Sequence, residues 1–402
     1  MRANNQNKYS KTRVKILLQG ILPSLIGIFS PKVRKRIIFN STRNEFYNFN
    51  TKYLFEYFIE KHPELEVKFV INDEGKRNKL NRQFGVKNSY FIETESLKGV
   101  WYALRAATWV TSAFETPVGG IFLRFNRFVY LLGHGTHFKA IVFNENRLSL
   151  AKWLYYQLMR INFSTYLVTS SSLIDIYMKA YKCTRHKLVV LGEPRHDKIY
   201  TPNKSLMKEQ FGEDIEESKN ILYAPTWRPD GGLKLFPFDD MDWKIFSEFL
   251  EDNNINIFLR MHPSFQENLG MYAKNTNRIK ILDNRVVEDI SDIMGFFDLL
   301  ITDYSSIYIS FLLLEKPVMF LPYDFVVYER QMGFVDNYDA LTPGPKPKNM
   351  KAFQLELNFL LTNDKYYKTS RNEASRFFND FHYDNCKMNA QYIVEKIKGG
   401  KE

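Results

Sequence analysis

Cysteine is nearly absent from this chain: Cys183 and Cys386 are the only two among 402 residues. Two thiols so far apart exclude a disulfide framework and a cysteine-built metal site, and they fit a reducing compartment. No Gly-x-Gly-x-x-Gly segment, P-loop or Asp-rich motif occurs, so neither dinucleotide redox chemistry nor a metal finds support, and no cofactor is expected. The first apolar run, Ile16 to Ser30, is 15 residues long. A membrane-crossing helix needs roughly 20. No small-residue cleavage site follows that run and charge returns directly after it, which argues for a protein that stays in the cytoplasm. Internal repeats and low-complexity tracts are also missing.

Hydrophobic residues make up 45% and charged residues 25%, the balance of a folded chain whose length predicts two domains. The 56 basic against 45 acidic residues give a formal charge of +11, which favours phosphorylated ligands, nucleic acid or anionic lipid without choosing among them. The basic residues are densest around the first apolar run: Lys8, Lys11, Arg13 and Lys15 precede it, and Lys32, Arg34, Lys35 and Arg36 follow. A nucleic-acid surface would interleave such bases with stacking aromatics, so no nucleic-acid partner is expected. Residues 1–36 read as an interfacial membrane-associating segment, its apolar body at the headgroup boundary and its bases drawn to anionic lipid. The alternative is a buried N-terminal helix packed on the catalytic domain.

Beyond Arg36, short β-rich runs alternate with helical stretches, the pattern of α/β domains with mainly parallel sheets. Ile37–Asn40, Val67–Ile71, Trp109–Ser112, Phe128–Leu132 and Tyr166–Thr169 are predicted strands, with helices at Tyr53–Lys61 and Leu148–Arg160 among those between them. A second series comprises Asn220–Ala224, Ile255–Leu259, Ile279–Leu282, Leu299–Thr302 and Val318–Leu321. Helices at Met350–Leu361, Lys365–Phe378 and Asn385–Ile397 close the chain. The break falls near Leu191–Asn203, where Gly192, Pro194 and Pro202 interrupt a polar stretch. The expected division is therefore 37–191 and 192–402, two Rossmann-like domains facing a cleft at the carboxyl ends of their strands.

Polar residues that directly follow predicted strands mark the functional loops. His134 stands between Gly133 and Gly135 after an apolar strand, where glycines permit close approach of a substrate and the imidazole suits general-base work on a hydroxyl. Thr136 and Lys139 continue that segment. In Gly192-Glu193-Pro194-Arg195-His196-Asp197, the Arg195 fork suits a phosphate, with a hinge salt bridge to Asp197 as the alternative. Tyr223-Ala224-Pro225-Thr226-Trp227-Arg228 adds a further cation. Arg260 and His262, two apart at a strand end that Pro263 terminates, point to one side and form a candidate diphosphate clamp, unless an internal acid pairs with them. Thr302-Asp303-Tyr304-Ser305-Ser306 joins a strand to a helix start whose N–H groups suit a phosphate. Downstream, Asp324 offers a carboxylate for ribose hydroxyls.

Taken in order, these motifs resemble the CDP-glycerol glycerophosphotransferase family of teichoic-acid primases, polymerases and related capsule enzymes, over about His134 to Pro345. The position after Thr136, often proline in that family, is His137 here. The resemblance implies a GT-B fold and transfer of glycerol phosphate or ribitol phosphate from a CDP-polyol to a lipid-linked acceptor, with CMP released. It also implies that His134 and His262 are catalytic, His134 as the base. Gly135, Thr136, Lys139, Arg195, Thr226, Trp227, Arg228, Arg260, Asp303, Ser305, Ser306 and Asp324 would then contact substrate, at the cytoplasmic face of the membrane. A GT-B glycosyltransferase using a nucleotide sugar is the alternative, and it would release a nucleoside diphosphate instead.

Overall fold

The computed structural model describes residues 20–85, 89–146, 148–226, 228, 232–261, 269–283 and 285–399. Among them the two predicted strand series become two all-parallel sheets. The first holds β1 (Val33–Asn40), β2 (Glu66–Val70), β3 (Phe91–Ile92), β4 (Ala106–Thr111), β5 (Phe128–Leu131), β6 (Thr165–Val168) and β7 (Leu188–Val190) in the order β3-β2-β1-β4-β5-β6-β7. The second holds β8 (Lys219–Tyr223), β9 (Ile255–Leu259), β10 (Ile279–Ile281), β11 (Leu299–Thr302) and β12 (Val318–Phe320) in the order β10-β9-β8-β11-β12. Every residue of β9 and β11 is buried, as expected where helices cover both faces of a parallel sheet. The sequence pattern passes over β3 and β7 because two or three residues are too few for a period to show.

Two compact units result, one from residues up to 136, 141–197 and 380 onward, the other from 137–140 and 198–379. The expected boundary at residue 191 thus moves in two places. Residues 192–197 and the closing helix Asn385–Gly399 stay with the first unit. That helix buries Cys386, Ala390 and Ile393 in the Phe-rich core of Phe39, Phe55, Phe58 and Phe69, where Phe39 and Phe55 meet edge-on at 5.5 Å. Its first turn is tied down by Asp197, whose carboxylate accepts from Asn385 N at 2.9 Å and Cys386 N at 2.7 Å. Residues 137–140 join the second unit because Phe138 is fully buried there against Tyr308, Phe334 and Tyr338. Across the second unit's own sheet, Met350, Phe353, Leu357 and Leu360 cover Ile221, Ile257 and Ile301.

The expected N-terminal segment lies outside the described residues up to 19; from there the helix Ile21–Phe29 is formed. Its small residues face the first unit. Ile121 N donates to Ser24 Oγ at 2.8 Å, Gly20 sits against Gly120, and Gly27 meets Leu104. Its large residues do not: Leu22, Leu25 and Phe29 are exposed, Phe29 to 84%. Docked helix and exposed apolar face therefore coexist. Two bases assigned to lipid are occupied elsewhere. Lys32 donates to the carbonyls of Gly27 and Leu104 at 2.6 and 3.0 Å, and burial, then Arg127, pushes its pKa down to about 8. Arg36 pairs with Glu66 at 2.8 Å and lies over the Tyr102 ring. Arg34 and Lys35 remain exposed.

A Cβ at Gly192 would overlap the Asn385 side chain. Gly192→Ala should displace the closing helix and lower stability by about 1–3 kcal/mol, the usual cost of overpacking, read as a drop in the urea midpoint at unchanged m.

Candidate active site

In open α/β sheets ligands bind where the strand order reverses. The reversal lies between β1 and β4 in the first sheet and between β8 and β11 in the second. Each is described in turn.

At the first, Ser112 follows β4 directly and His134 lies in the loop after β5. The two glycines beside His134 have φ of 71° at Gly133 and 142° at Gly135, values that a side chain would make costly. His134 Nδ1 lies 3.3 Å from the carbonyl of Ser112, a contact that only a protonated nitrogen satisfies. The lone pair is thus left on Nε2. The Phe49 ring packs at 5.5 Å. His134 is exposed as a whole, yet burial by surrounding atoms lowers its pKa from 6.5, with Arg195 adding to the effect and Ser112, Glu193 and Glu115 opposing it. A neutral ring at pH 7 follows.

Arg195 and Thr136 lie in the same unit, both buried. Arg195 does not bridge to Asp197. Its Nε donates to Glu193 Oε2 at 2.6 Å, and its backbone N donates to Asn50 Oδ1 at 3.3 Å. Thr136 Oγ1 pairs with Thr169 Oγ1 at 2.9 Å.

The second reversal is built around Arg228, only 3% exposed. Its Nε and Nη2 donate to the two oxygens of Asp324 at 2.7 and 2.9 Å, and Nη2 lies 2.9 Å from Asp303 Oδ2. Tyr304, Tyr328 and Tyr323 set their rings 4.8, 5.0 and 5.4 Å from the guanidinium. Asp303 Oδ1 accepts from Thr226 N at 2.7 Å, so the loop after β8 is fastened to the loop after β11. Sequence reasoning counted Arg228, Asp303 and Asp324 as ligand contacts. In the structure their charges engage one another, and Arg228 and Asp303 also bond the backbone of Thr226, whose buried Oγ1 has no hydrogen-bond partner among the described residues. Lys139 lies in this unit too; burial lowers its pKa, Asp303 opposes that and Arg228 adds to it.

Arg260 follows β9 and donates from Nη2 to the carbonyl of Val287 at 2.8 Å, and its charge also acts on Asp283. Ser306 precedes the short helix Ile307–Leu312 without capping it, and Ile307 N is 3.4 Å from Ser305 Oγ. Trp227 and His262 lie outside the described residues. Sequence reasoning missed Ser112, Asn50, Thr169 and the tyrosine cage, and it quoted Glu193 without giving it a role. No local motif marks Ser112, Asn50 or Thr169, and Glu193 and Tyr304, though inside quoted motifs, find partners that local sequence does not show.

A family model described as CDP-Glycerol:Poly(glycerophosphate) glycerophosphotransferase matches residues 24–399. The teichoic acid poly(glycerol phosphate) polymerase of Bacillus spizizenii is 26% identical over 412 residues, spanning 98% of both chains. With the Bacillus subtilis polymerase of the same name the identity is 28% over 339 residues, 79% of this chain but 43% of that one. Among solved structures, the wall teichoic acid polymerase TagF, H444N variant soaked with CDPG, superposes with a TM-score of 0.76 at 22% identity over 99% of both chains. That likeness speaks to the fold.

Arg228→Met would leave Asp303 and Asp324 facing each other without their cation. The expected loss is about 3–5 kcal/mol, the scale for breaking a buried pair from one side, measured by chemical denaturation.

Proposed function

We propose how glycerol phosphate is transferred here from the premise that this chain belongs to the CDP-glycerol:poly(glycerophosphate) glycerophosphotransferase family. The enzyme takes glycerol phosphate from CDP-glycerol in teichoic-acid synthesis. In our reading an acceptor hydroxyl attacks the phosphorus that bears the glycerol, in line with the CMP leaving group. One P–O bond forms, one breaks, and the hydroxyl proton passes to His134 Nε2. The observation that carries this is the His134 Nδ1 contact with the Ser112 carbonyl at the first strand reversal, which orients Nε2 as the proton acceptor.

The first unit is then the acceptor side and the second the CDP-donor side. Thr226 would donate to a donor phosphate, since its hydroxyl is buried and unused among the described residues. Lys139 and Arg260 would balance phosphate charge, with Arg195, Trp227, His262, Ser305 and Ser306 assigned by the family resemblance alone. Arg228, Asp303 and Asp324 act through Thr226 as its supports.

The acceptor is read as lipid-linked and the enzyme as peripheral to the membrane. Among the described residues no helix is long and apolar enough to cross a bilayer. Support for surface attachment comes from Leu22, Leu25 and Phe29 together with Leu97 and Trp101 of the neighbouring helix Leu97–Leu104, all exposed. Leu25, Ile26, Phe29, Ser30 and Trp101 line a hollow of about 360 Å³. An apolar patch beside exposed Arg34 and Lys35 suits anionic headgroups.

His134→Ala should cut turnover by roughly 10² or more while CDP binding, followed by calorimetry, persists; near-normal turnover removes His134 as the base. In the native enzyme the acid limb of kcat/KM should fall below pH 6.5, because the His134 pKa is lowered from that value and only the neutral ring accepts a proton. Leu25→Ser with Phe29→Ser should reduce flotation with anionic vesicles and leave the thermal midpoint in place. Neutralising Arg34 and Lys35 should remove the salt-sensitive part of that binding.

A further inference from the structure

Glu193 is 1% exposed, and a carboxylate so enclosed persists only where cations and donors replace water around it. Arg195 Nε reaches Oε2 at 2.6 Å, and His196 Nε2 lies 3.2 Å from the same oxygen. Burial pushes the Glu193 carboxyl up, but Arg195 and His196 outweigh it and hold it well below the usual range. Oε1 faces Thr136 Oγ1 at 3.5 Å, two residues beyond His134. On the near side Asn50 Nδ2 donates to the Gly133 carbonyl at 3.0 Å, while Asn50 Oδ1 accepts from Arg195 N at 3.3 Å. Both ends of the histidine loop are thus clamped by groups that also touch the Glu193–Arg195 pair.

We propose that Glu193 is a positioning residue for His134: its buried carboxylate neutralises Arg195 in the surroundings of the imidazole and braces the far end of the histidine loop at Thr136. The inference rests on the reading of His134 as the base. Among the described residues the charged groups that act on that ring include Arg195, which opposes its protonation, and Glu193 and Glu115, which favour it. Glu193 offsets part of the charge through which Arg195 lowers the proton affinity of His134. Thr136 supplies the mechanical half, since its hydroxyl is shared between Thr169 and the Glu193 side.

The test is the titration of His134 itself, followed by NMR in the full-length protein without substrate, with His134→Ala used to assign its resonance. Glu193→Gln should move that titration to lower pH by on the order of one unit, and the acid limb of kcat/KM with CDP-glycerol should follow. Arg195→Gln should move the titration upward. Thr136→Val keeps both charges, so turnover should fall while the titration stays in place. A titration unmoved by both charge variants overturns the proposal. Should Glu193→Gln fail to fold, Arg195→Gln decides: an upward shift supports the role of the pair, and no shift refutes it. Turnover retained in His134→Ala would defeat the base reading instead, whereas an inactive His134→Ala with unmoved titrations defeats only the role of Glu193.

Discussion

A guanidinium enclosed by protein has to find counter-charge within reach, because the arginine side chain does not shed its proton at accessible pH. Arg228 meets that requirement with two carboxylates from different loops, Asp303 after β11 and Asp324 after β12. Much of the second unit's site depends on this one constraint. Holding Asp303 in place turns its other oxygen toward Thr226 N, and the loop after β8 is fixed. Asp324 in turn receives the Tyr304 hydroxyl at 2.9 Å, and Tyr304 stacks on Tyr328 at 4.0 Å. The charged residues here pair with one another and fix the loop of Thr226, whose hydroxyl is the contact in the proposed reading.

The first unit repeats the device on a smaller scale. Arg195 and Glu193 are neighbours within one motif, both buried, and the pair stands where the histidine loop needs both a brace and a controlled charge. The two units share a fold principle as well. Each sheet runs outward in both directions from a central pair of strands, so each has a single reversal where two loops diverge and leave room. His134 with Ser112 and Thr226 with Asp303 occupy those openings.

The N-terminal helix separates its residues by size. Gly20, Ser24 and Gly27 on one face allow close approach to the body of the first unit, while Leu22, Leu25 and Phe29 on the other face stay outside. Small residues gain van der Waals contact by proximity, and large ones leave an apolar face uncovered that the proposed surface attachment would use. Composition does not separate these cases; helical phase does.

All strands but β3 and β7, the glycine-flanked histidine, the ordered motifs and the family resemblance were legible in the residues, because apolar runs, turn residues and local spacing are properties of neighbouring positions. Partnerships were not. Nothing near Arg195 in sequence favours Glu193 over Asp197, and nothing near Asp197 announces that it holds the helix beginning at Asn385. That helix, grouped by order with the second series, belongs to the first unit because its buried face matches a Phe-rich core laid down some 300 positions earlier. Local chemistry determined which elements form and which side chains could react. The tertiary structure alone decided which charges neutralise each other, since burial makes pairing obligatory and only folding brings the partners within reach.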